Sequence, residues 1–216
     1  MDVICNIFKI SREVCSAFLY LGVNLTQDGH GMITLDQTTY AKSLTPLKVS
    51  QDQMLNKNTP LTPSELTMLR RSIGQLNWLA CMSRPDISFD VSVISYNITS
   101  ATVNDIIHAN KIINRVQKLD CKLVFPSLDL KSMEICSYSD SSYNNLKDEG
   151  SQGGHVVYLK DKYSKCCILE WKSNRIRRTV RSALAAESLS CAESVEADVY
   201  WQRMIEELLG RKVPPQ

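Results

Sequence analysis

Glu134-Ile135-Cys136-Ser137-Tyr138-Ser139-Asp140 is a strand-like run that ends on an acid. Two further strand-like runs follow, His155–Lys160 and Cys166–Lys172, joined as a hairpin around Lys162-Tyr163-Ser164-Lys165. The polar stretch 141–152 reads as the loop between the first and second strands. Next comes an Ala-rich helical pattern over Ala183–Leu209 that carries Glu187, with Ser182 as its N-cap and Gly210 as its stop, Pro214-Pro215 lying beyond. A three-strand antiparallel meander crossed by one long helix is therefore expected. An acid at the end of the first strand and an acid on the helix can share a divalent cation.

Upstream, the sequence predicts a three-helix unit over about 62–118. Thr62-Pro63-Ser64-Glu65 is a helix start: Thr62 caps, Pro63 suits the first helical position and Glu65 completes a capping box. Leu66, Leu69, Ile73, Leu76, Leu79 and Ala80 then recur at helical spacing. At Arg84-Pro85-Asp86 the proline stops that helix, and Asp86 is placed to cap a second one over Ile87–Ile98. The third starts near Thr102, with Ile106, Ile107, Ala109, Ile112, Ile113 and Val116 as its apolar face. A further strand is expected at Cys121–Phe125. Before the helices, Asp28-Gly29-His30-Gly31 marks a turn between strands Ala17–Thr26 and Met32–Asp36, and Gln37–Leu44 reads as a short helix. The polar stretch Thr45–Pro60 reads as a linker or long loop.

The chain has 216 residues and a net charge of only +2, so any affinity for nucleic acid must come from local clustering. One such cluster exists. Lys172, Arg175, Arg177, Arg178 and Arg181 place five cations within ten residues, just before the helix that carries Glu187. No apolar run is long enough to cross a membrane, and Met1-Asp2-Val3-Ile4-Cys5 lacks the form of a secretory signal. The eight cysteines include no C-x-x-C pair and no His at zinc spacing, which implies reduced thiols in an intracellular protein. On a strand, Cys166 and Cys167 point to opposite faces.

Several patches together resemble the Pol polyprotein of copia-type LTR retrotransposons. Tyr20-Leu21-Gly22-Val23, followed by Gly31–Tyr40, resembles the end of that family's reverse transcriptase palm. Gly74-Gln75-Leu76-Asn77-Trp78-Leu79-Ala80 and Ser83-Arg84-Pro85-Asp86-Ile87 resemble its thumb and connection. Ser137–Tyr143, Gly150–Val157 and Ser182–Ser188 resemble the start of its ribonuclease H domain. The motifs occur in the family's order over nearly the whole chain. The resemblance implies an α+β chain in three parts: a palm-remnant hairpin over 1–60, thumb and connection helices over 61–130, and a partial ribonuclease H-like fold over 131–216. It implies hydrolysis of the RNA strand of an RNA–DNA hybrid with Mg²⁺ or Mn²⁺, with Asp140 and Glu187 as catalytic metal ligands. Lys172, Arg175, Arg177, Arg178 and Arg181 would hold phosphates, and the remainder of the polyprotein would be a partner.

The family's polymerase site needs an Asp-Asp turn before the Tyr20-Leu21-Gly22 strand, and no Asp-Asp pair occurs in this sequence. The family's ribonuclease H domain also continues to further acids past its first long helix. A shortened or decayed copy, with binding but no catalysis, is therefore the alternative expectation. Asp198, eleven residues after Glu187, shares its helix face but lies roughly 16 Å along the axis, and reads as a surface acid. His30, His108 and His155 read as isolated. Trp78, Trp171 and Trp201 read as core or interface residues.

Overall fold

The computed structural model describes residues 16–146 and 148–213. Strands β1 (Ala17–Tyr20), β2 (Val23–Gln27), β3 (Ile33–Asp36) and β4 (Leu123–Phe125) form one antiparallel sheet in that order. Strands β5 (Glu134–Ser142), β6 (Gln152–Lys160) and β7 (Cys166–Arg175) form a second, an antiparallel meander. The helices are α1 (Thr38–Ser43), α2 (Gln51–Leu55), α3 (Pro63–Met82), α4 (Ser88–Tyr96), α5 (Val103–Lys118) and α6 (Ala183–Leu209). The mixed α+β class expected from the sequence holds at this level.

The strand expected over Ala17–Thr26 is instead a hairpin of its own. Leu21 (φ 48°) and Gly22 (φ 78°) are both left-handed, the requirement of a two-residue turn whose twist matches the flanking strands. The second hairpin turns where expected. Asp28 Oδ1 accepts from the amides of His30 and Met32, both at 2.9 Å, and Gly31 takes φ 81°.

The capping box before α3 forms as the sequence implies: Thr62 N donates to Glu65 Oε2 at 2.8 Å, and Glu65 N donates to Thr62 Oγ1 at 3.3 Å. Helix α5 opens at Thr102 as expected, on a related set of bonds that the sequence reading did not specify: the Asp105 carboxylate accepts from Thr102 N at 2.8 Å and from its hydroxyl at 3.0 Å. Leu69, Leu76, Leu79, Ile87, Val91, Ile94, Ile106 and Ile113 are fully buried between α3, α4 and α5. Each such side chain contributes about 1.5–3 kcal/mol relative to exposure.

Asp86 does not cap α4. Its carboxylate instead receives the buried guanidinium of Arg84, at 2.7 Å from Nε and 2.8 Å from Nη2, while Nη1 donates to the carbonyls of Val116 (3.3 Å) and Leu119 (3.1 Å) at the end of α5. The corner is thus an ionic clamp between two helices. The expected linker Thr45–Pro60 is also ordered against the helices. Leu47 and Asn110 exchange two hydrogen bonds, at 2.7 and 2.8 Å, and Ser50 caps the short helix α2.

Helix α6 lies across one face of the meander over a second core of Met133, Ile135, Val157, Ala197, Ile205 and Val213. Its ends match the sequence: Ser182 Oγ accepts from Ala185 N at 3.1 Å, and Gly210 closes it at φ 65°. The meander's other face meets the helical unit. Trp171 Nε1 donates to the Ala80 carbonyl at 2.7 Å, and Gln152 Nε2 to Ser92 Oγ at 3.1 Å. Cys166 is exposed and Cys167 buried, as strand alternation requires. Cys5 and Cys15 lie outside the described residues.

Candidate nucleic-acid interface

Asp140 and Glu187 come to the same end of the meander. Ser190, one turn after Glu187 on α6, donates to the main-chain carbonyls of Asp140 (2.8 Å) and Gly154 (3.1 Å). This close approach explains Gly153, where an added Cβ would stand 3.2 Å from Ser190 Oγ. The two carboxylates do not share a face of the sheet. Ser137, two residues on one side of Ser139, bonds to α6, so alternation assigns Ser137, Ser139 and Ser141 to the helix side. Asp140 pairs in register with Gly154, on the same side as Gln152, which bonds to α4. Asp140 is exposed, and its Oδ1 accepts from Ser141 N at 2.9 Å. Glu187 is half-buried.

Both residues supply the hard oxygen donors that Mg²⁺ takes. Among the described residues, however, no group of three or more His, Cys, Asp or Glu side chains is placed to hold a metal. The donor type fits such an ion and the donor number does not.

Asp198 is not a surface acid. It is half-buried, and its Oδ2 accepts from Ser137 Oγ at 2.6 Å. Ser190, Ser194 and Asp198, at spacing of four, make a polar seam against β5 within the otherwise apolar contact; Ser190 and Ser194 are buried. The signal in the sequence was small polar residues at helical spacing on the face that also carries Ala186 and Ala197. Two of the three histidines also have side-chain partners. Buried His155 lies with Nε2 3.3 Å from Glu170 Oε1, and Glu170 Oε2 accepts from Trp201 Nε1 at 2.7 Å. His108 lies 3.1 Å from Asp90, which also receives Arg115.

The basic stretch divides into two groups. Lys172 is held by Glu193 at 3.2 Å, and Arg175 by Asp148 at 2.6 Å. Arg177, Arg178 and Arg181 are exposed and have no carboxylate partner among the described residues. Lys172, Arg175, Arg177 and Arg178 line a cleft of about 890 Å³ whose other walls are α4, with Ser92 and Tyr96, and α6, with Leu189 and Glu193. Four of the five predicted cations, all from the end of β7 and its exit, thus lie along one opening walled by α4 and α6.

The chain is similar to a transposon protein. Over 189 residues it is 24% identical to the "Putative transposon Ty5-1 protein" of Saccharomyces cerevisiae, covering 82% of this chain and 59% of the relative. The chain therefore spans under two thirds of that relative's length. No protein-family model matches the chain. The similarity supports a transposon-derived protein. Among the described residues, no helix is long and apolar enough to cross a membrane.

Proposed function

We propose that this chain is a segment of a copia-type retrotransposon Pol polyprotein. Its parts would be the end of the reverse transcriptase palm, the thumb and connection helices, and the first part of a ribonuclease H domain, and in the intact polyprotein it would take part in hydrolysing the RNA strand of an RNA–DNA hybrid. The observation that carries this reading is the meander β5–β7 with α6 laid across it and a cationic cleft along its flank. An acid-bearing strand end and a basic groove on one flank are what a hybrid nuclease requires: phosphate contacts position the duplex, and its shape and 2′-hydroxyls mark the RNA strand. The similarity to a transposon protein supports the origin.

In the intact family member, metal-assisted hydrolysis would remove the RNA strand. Here Asp140 and Glu187 offer two donors where a two-metal site uses more. A second reading, a binding element without catalysis, is favoured by that shortage among the described residues.

One experiment separates the readings. A labelled RNA–DNA hybrid is incubated with the chain and its Asp140→Asn variant in Mg²⁺ and in Mn²⁺, with binding measured in parallel. Cleavage that is lost in the variant supports the enzyme. Salt-dependent binding without cleavage supports the binding element. Neither cleavage nor binding overturns the proposal.

A further inference from the structure

Arg175 is the most constrained cation of the cleft. Its Nη1 donates to Asp148 Oδ1 at 2.6 Å, and its guanidinium carbon sits 3.8 Å from the centroid of the Tyr96 ring. The Tyr96 hydroxyl donates to the other oxygen, Asp148 Oδ2, at 3.0 Å. Gly150 leaves the room this needs, because a Cβ there would overlap the guanidinium. The loop between β5 and β6 therefore delivers a carboxylate to the guanidinium of β7 against a ring of α4.

We propose that Asp148 is a built-in competitor for the cationic cleft: it occupies Arg175 in the empty chain and yields it to a phosphate of a bound nucleic-acid backbone. The proposal rests on the nucleic-acid reading above. A phosphodiester presents acceptor oxygens to a guanidinium much as a carboxylate does, so the two compete for the same donors. The exchange is easy on the Asp148 side, whose side chain is 46% exposed and returns to water. The loop is otherwise tied by local bonds: Leu146 N to the Gly150 carbonyl at 3.0 Å and Asn144 N to Ser151 Oγ at 3.0 Å. Lys172 is held in the same cleft by exposed Glu193, which repeats the device. Arg177 and Arg178 make first contact with the ligand, and Arg175 is recruited after it.

The test uses the full chain and a labelled RNA–DNA hybrid. Asp148→Asn is expected to bind about threefold tighter, the scale of an exposed ion pair removed from competition. The slope of its log affinity against log salt should match the parent's, because Arg175 neutralises a phosphate in both complexes. Tyr96→Phe should shift the affinity in the same direction by less. In the unsubstituted chain, the Arg175 Nε–Hε resonance should move when hybrid is added, a readout independent of whether Asp148→Asn folds. If binding is absent, or indifferent to joint Arg177→Ala and Arg178→Ala, the nucleic-acid reading fails and takes this proposal with it. If binding depends on Arg177 and Arg178 while the Arg175 resonance stays fixed and Asp148→Asn leaves the affinity unchanged, the competitor is overturned and the reading stands.

Discussion

The hydroxyl of Ser190 donates to the main-chain carbonyl of Asp140 at 2.8 Å, and this bond sets where helix α6 meets the end of strand β5. The same hydroxyl reaches the Gly154 carbonyl on β6, so one side chain ties the helix to two strands. Ser190→Ala should lower the free energy of unfolding by about 1–2 kcal/mol, measured by urea denaturation. Gly153→Ala should cost a similar amount by pushing Ser190 away, and the double variant should cost less than the sum. Additive losses would show that the two positions are not coupled.

Removing the Arg84 side chain should be among the most damaging single changes. Arg84→Ala strips Asp86 of its partner and leaves the Val116 and Leu119 carbonyls without their donor, an expected loss of about 3–5 kcal/mol. Asp86→Asn should cost distinctly less, because the side chain is 38% exposed and an amide oxygen still accepts. Equal losses would place the contribution in packing of the arginine stem alone.

Low pH should release the Asp148 pair before the fold is lost. Arg175, chiefly by its hydrogen bond, holds the Asp148 carboxyl down to about 2. A carboxyl with a lowered folded value stabilises above its unfolded value and loses that contribution as pH falls through the folded one. The Arg175 side-chain resonance should therefore hold steady from neutral pH down to about 4 and change only as pH approaches 2. Asp86, lowered mainly by its hydrogen bond from Arg84, follows the same sign.

Gly22 has the conformation that an L side chain resists, at φ 78°. Gly22→Ala should cost about 1 kcal/mol from the turn alone. Leu21→Gly should offset part of this strain by relaxing the other left-handed position. A thermal melt of the two single variants and the double variant checks the order; a Gly22→Ala protein as stable as the parent would remove the two-residue turn from the account.

What the sequence made legible was local. Thr62 and Glu65 declared the start of α3, Ser182 and Gly210 the ends of α6, and the apolar spacing of Ile106 to Val116 the buried side of α5. Gly22 was readable as a turn but lay inside an attractive strand pattern, and the pattern prevailed. The stretch Thr45–Pro60 is largely the long loop expected, but its polarity also serves Ser50, which caps a short helix, and the backbone of Leu47, whose bonds reach across 63 residues to Asn110. For the candidate site, the basic stretch stood out as a charge run, and Arg177, Arg178 and Arg181 in it are exposed. The partners of Arg175 and Lys172 could not be read, since Asp148, Tyr96 and Glu193 meet them only through tertiary contact. Asp198 was misjudged because distance along a helix from Glu187 says nothing about what the strand beneath supplies.

Trp171 binds the Ala80 carbonyl from the face of the meander that α6 leaves open, and Gln152 and Arg175 reach α4 from the same side. The meander is therefore the middle layer of three. A chain begun near residue 131 to isolate the ribonuclease-like part would leave that indole N–H without its acceptor and lay bare a sheet face whose covering comes from upstream. Such a piece should self-associate or unfold, and the natural unit for expression and assay is the one that keeps α3 and α4 attached.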